Sequence, residues 1–91
     1  MAEAEKQAEN IRSTAKQAAA KMRSEANAGA DKLEKEAASK NAIQKAAAKA
    51  AADKLRKEGD DNAKKIEQEA EKQATTTMDT ARKKADDIKS K

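Results

Sequence analysis

Two pairs of adjacent carboxylates, Asp60-Asp61 and Asp86-Asp87, and a file of cations, Arg12, Arg23, Lys45, Arg56 and Lys89, are the residues whose types and spacing could do chemistry. The carboxylates would suit a divalent cation, and the cations would suit phosphates. Neither pattern is complete. Adjacent residues on a helix point about 100° apart, so the paired carboxylates do not converge on one ion. Glu34 and Glu67 interrupt the cationic file, and the chain has no aromatic residue on which a base could stack. It also lacks Cys and His, and with them the thiol nucleophile, the imidazole base and the imidazole ligand. No catalytic, cofactor-binding or metal-ligating residue is therefore nominated. No enzyme activity, cofactor or specific nucleic acid is expected.

The elements that would carry these residues are helices. Of 91 residues, 42% are charged, and the apolar third consists of 24 Ala, four Ile, two Leu and three Met. So few large side chains cannot fill the centre of a globular domain. A composition of Ala, Glu, Lys and Arg with helical periodicity belongs to a long helix or coiled coil. No apolar run approaches the roughly 20 residues of a membrane span. The net charge of +4 is small against 38 charged residues whose signs are interspersed along the chain, a pattern that solvates a rod.

The large residues follow a period of eleven. Counting from Ile11 gives Ile11, Met22, Leu33, Gln44, Leu55, Ile66, Thr77 and Ile88, with Ile43 and Met78 beside the two polar sites. A column of small residues keeps the same period: Ala4, Ala15, Ala26, Ala37, Ala48, Gly59, Ala70 and Ala81. A second small column follows four residues later, from Ala8 to Ala85, broken by Asn41. Eleven residues in three turns is about 3.67 per turn, the period of a right-handed supercoil. Two places could interrupt the helix, EGDDN around Gly59 and KNAIQ around Asn41. Gly59 and the following Ile66 stay in phase, and no proline occurs. The fold expected is all-α: residues 1–91 as one hendecad coiled-coil segment, a single continuous helix from about residue 3 to 89.

In an antiparallel pair aligned end to end, each large residue meets a small one. Ile11 faces Ala81, Met22 faces Ala70, Leu33 faces Gly59, Leu55 faces Ala37, Ile66 faces Ala26 and Ile88 faces Ala4. Gln44 then faces Ala48 near the twofold axis, where Asn41 and Gln44 would form a polar layer that fixes register. An antiparallel homodimer or homotetramer is expected on this seam, the tetramer burying a flanking column that includes Ala18, Gly29 and Ala51. A hairpin turning near residue 46 would make the same contacts within one chain, but it puts the turn in AAAKAAA, a strong helix former, and ranks lower.

The runs TAKQAAAKMRSEA and ARKKADDIKSK resemble the eleven-residue repeats of late-embryogenesis-abundant desiccation proteins. That resemblance implies a stress protectant, disordered in water, that becomes helical on drying and associates weakly with membranes. The regular Ile, Leu and Met column departs from it. The chain is more similar to the alanine-rich, right-handed coiled-coil segments of bacterial proteins, which implies a stalk, spacer or oligomerisation element whose partner is a copy of itself.

Overall fold

The computed structural model describes residues 2–90, and the fold is all-α and extended. Two helices, α1 (Ala2–Ala37) and α2 (Ala42–Ser90), fold back on each other as an antiparallel hairpin. Its principal extents are 75 × 15 × 6 Å. The longer extent matches α2, whose 49 residues rise about 74 Å at 1.5 Å each. The 36 residues of α1 cover about 54 Å, so α2 overhangs at the open end.

The expected single helix from residue 3 to 89 is thus broken at 38–41, and the hairpin ranked lower on sequence is the fold. The cause is local. After Ala37 the chain tightens, with the Ala38 N–H donating to the Lys35 carbonyl (3.2 Å) and the Lys40 N–H to the Ala37 carbonyl (2.9 Å). These are i to i−3 bonds, the usual way a last turn closes. Asn41 then starts α2: its side-chain oxygen accepts the Gln44 N–H at 2.9 Å, and its carbonyl accepts the Lys45 N–H at 2.9 Å. An N-cap residue holds non-helical backbone while its side chain satisfies a donor of the first turn. Asn41 and Gln44, expected as a polar layer inside a seam, are therefore the cap and the third residue of an exposed helix start. The turn lies a few residues before position 46, and the pairing shifts with it. Gly59 meets Ala26 instead of Leu33, seven positions and about two helical turns away.

Gly59 lies inside α2, where a helix ordinarily prefers alanine by about 1 kcal/mol. Its small size is what the packing uses. A methyl group built on Gly59 would overlap the Ala26 methyl and lie 3.7 Å from the Met22 carbonyl oxygen. The two backbones approach closely here, and a glycine is what admits the approach.

Candidate interaction surface

The interior of the hairpin is made of alanine. Ala4, Ala8, Ala15, Ala19, Ala30 and Ala37 of α1 are buried against Ala52, Ala63, Ala70 and Ala74 of α2, with Gly59 buried among them. Both small columns read from the sequence thus point between the helices. Ala26, Ala48 and Ala81 of the first column are half-buried. Among the described residues no side chain larger than alanine is fully buried.

The large column stands at one edge of this interior. Ile11, Met22, Leu55 and Ile66 are half-buried, and Leu33 is 36% exposed. Ile88, expected opposite Ala4, borders a groove that Ala4 also lines but is 75% exposed, because it lies near the end of α2 that overhangs α1. Ile43, in the first turn of α2, is 82% exposed. Ile11 and Ile66 border one shallow groove with Ala15, Ala18 and Ala70. The Leu55 side chain lies over Gly29, where an added methyl would come 3.0 Å from Leu55 Cδ2. Leu33 borders the same edge near the turn, with Ala37 and Ala47. The six large residues assigned to an intermolecular seam are therefore brought to one flank of a single chain, with Ile88 at its far end.

The opposite edge is charged. Three cations of the file that could have met phosphates are instead engaged between the helices. Arg12 grips Glu71 with two parallel bonds, Nε to Oε2 at 2.9 Å and Nη2 to Oε1 at 3.1 Å. Arg23 donates to Asp60 (2.9 Å) and Glu67 (2.8 Å). Arg56 pairs with Asp31 at 2.8 Å and with Glu34. The planar guanidinium fork suits such two-carboxylate arrangements, which a lysine would meet as a point charge. Glu34 and Glu67, taken as interruptions of a phosphate-binding file, are partners of that file across the hairpin. Lys89 of the file lies outside the described side chains.

These pairs shift proton affinities in the expected sense. The Arg23 hydrogen bond, with Lys64 adding a second at 3.0 Å, holds the Asp60 carboxyl below the usual aspartate range. Arg12 does the same to Glu71, and each guanidinium is raised by its hydrogen-bonded carboxylates. Asp60 also pairs with Lys64 one turn along α2, whereas Asp31 reaches across to Arg56 rather than to Lys35 on its own helix. The cross-helix ladder was not anticipated, although a signal existed. The chain has 17 Lys and only four Arg, and three of those four fall in one column beside the alanines.

Asp60 and Asp61 do not act together, since Asp60 faces Arg23 and Lys64. Among the described residues no cluster of three acidic side chains could hold a metal ion, and no helix is long and apolar enough to cross a membrane. The geometry defines an elongated all-α hairpin with a salt-bridged edge and an apolar edge. No family model, curated protein or solved structure matches the chain.

Proposed function

We propose that this chain is a structural interaction module, a spacer or assembly element that works by associating with copies of itself, without catalysis. The observation that carries the reading is the division of apolar surface. Alanine fills the space between the helices, while the large apolar side chains gather on an open edge. A buried methyl contributes about 0.8 kcal/mol, whereas a fully buried Leu, Ile or Met contributes about 1.5–3 kcal/mol. Ile11, Met22, Leu55 and Ile66 keep part of their surface open, and Leu33, Ile43 and Ile88 keep more, so association can bury apolar area that the isolated hairpin leaves exposed. Its 75 Å length supports a spacing role, and the eleven-residue period supports a hendecad form of coiled coil.

Sedimentation equilibrium with circular dichroism, on the same samples across a hundredfold concentration range, tests the proposal. A highly helical oligomer whose helicity falls on dilution is the expected result. A monomer of low helicity, gaining helix on drying or with lipid vesicles, would overturn it in favour of a desiccation protectant.

A further inference from the structure

We infer that the apolar edge is the docking face for a second hairpin, so that two chains join flank to flank as a four-helix assembly. This rests on the self-association proposed above and specifies its surface. Both helices contribute to the face. Ile11, Met22 and Leu33 of α1 and Leu55 and Ile66 of α2 line one flank, with the small residues Ala18, Gly29 and Ala51 beside them. Ala18 and Ala51 are exposed beside the large column, in a file that also holds Lys40 and Lys84, so a helix of another chain can approach most closely at the two alanines.

The surface area fits one partner of this size. The chain exposes 7054 Å², whereas a compact monomer of 9.8 kDa exposes about 5,200 Å². The excess is about 1,900 Å², and a stable two-chain interface takes about 800 Å² from each partner.

The rim favours a copy of the same chain. Beyond the small column each helix carries acidic residues, Glu25 and Glu36 on α1 and Glu58 and Glu69 on α2. Each follows a lysine by one turn, namely Lys21, Lys32, Lys54 and Lys65, and Lys54 reaches Glu58 at 4.0 Å. These eight charges cancel, as do Lys40 and Lys84 against Glu3 and Asp87 on the same face, so the rim sets no net charge against that of an identical copy. An anionic lipid surface would instead call for a cationic rim.

The test places charge on the face without entering the hairpin. Ala18→Glu combined with Ala51→Glu alters exposed positions that the isolated hairpin tolerates. Ala28→Glu, exposed on the outer side of α1, is the control. The unaltered protein and the control should sediment as two-chain species, and the double variant should dissociate with a Kd at least a hundredfold higher. If the double variant dimerises like the control, this face is not the interface, while self-association stands by another route. If the unaltered chain is monomeric throughout, both readings fail. Should the double variant lose helicity, alkylation of Ala18→Cys and Ala28→Cys in otherwise unaltered protein decides the matter. Protection that grows with protein concentration at position 18 alone supports the face, and equal rates overturn it.

Discussion

Replacing the two glycines of the hairpin by alanine should have opposite effects, although both lie inside helices. In an exposed helix each change would gain about 0.8–1 kcal/mol, because glycine loses more backbone freedom on folding. At Gly59 the new methyl would overlap the Ala26 methyl, which has no torsion to turn away, so α1 and α2 must separate locally. Overpacking of this kind costs about 1–3 kcal/mol. The net effect of Gly59→Ala is then a loss of about 1 kcal/mol, seen as a Tm lower by about 4–8 °C for a chain of this size. At Gly29 the new methyl meets the branch end of Leu55 at 3.0 Å, which a small rotation relieves. There the propensity gain wins, and Gly29→Ala should raise stability by about 0.5 kcal/mol. Thermal and urea unfolding followed by circular dichroism at fixed concentration reads both. The exchange Gly59→Ala with Ala26→Gly returns one methyl to the contact, so the two changes should couple favourably by about 1–3 kcal/mol in a double-mutant cycle. If Gly59→Ala stabilises as much as Gly29→Ala, the close approach at Ala26 is wrong.

The charged edge gives an acid-side prediction. Asp60 and Glu71 have folded values below their unfolded ones, so their contribution is present above pH about 4.5 and is lost as pH falls through the depressed values. NMR titration should place the Asp60 midpoint below about 3.9, and Arg23→Gln should move it back up; an unmoved midpoint would deny the pairing. The interior gives a packing prediction. Ala19 and Ala63 are fully buried, and Ala63→Leu should destabilise by about 1–3 kcal/mol in the same unfolding assay, whereas Ala28→Leu on the outer side should change little.

Helical content and the inward alanine columns were legible because an eleven-residue period survives any fold that keeps long helices. The break was not legible for the same reason. Between Leu33 and Leu55 the only frame site is Gln44, so the period carries no information across 38–41. Each helix of a hairpin keeps its own stripe, and a turn there leaves the phase intact. Gly59 looked as eligible for a turn as Asn41, because composition does not separate a glycine that ends a helix from one that admits a neighbour. What separates them is Ala26 on the other helix. The arginine ladder depends likewise on register: Arg23 finds Asp60 and Glu67 only once Gly59 is set against Ala26.

The same alanine columns could serve a hairpin or a pair of unbroken helices from two chains, so the choice between them falls on 38–41. Asn41 favours the turn through its cap, worth about 1 kcal/mol against alanine. Ser39 and Asn41 are also poorer helix formers than alanine, by about 0.5 kcal/mol each. Replacing both with alanine removes the cap and makes residues 37–48 nearly all strong helix former. The hairpin then loses about 2 kcal/mol per chain relative to an unbroken helix. For two chains exchanging halves this is about 4 kcal/mol, close to a thousandfold in the equilibrium. The outcome is measurable by shape. An unbroken helix over residues 2–90 is about 134 Å long, with a radius of gyration near 39 Å for a thin rod, against 20.9 Å for the hairpin. Small-angle scattering of Ser39→Ala with Asn41→Ala should show a marked rise toward the rod value at high concentration. Two hairpins packed side by side would stay near the hairpin value, so the measurement separates exchange of helices from flank-to-flank docking. If the radius of gyration does not rise, the turn is fixed by the packing of Ala30, Ala37 and Ala52 rather than by its cap.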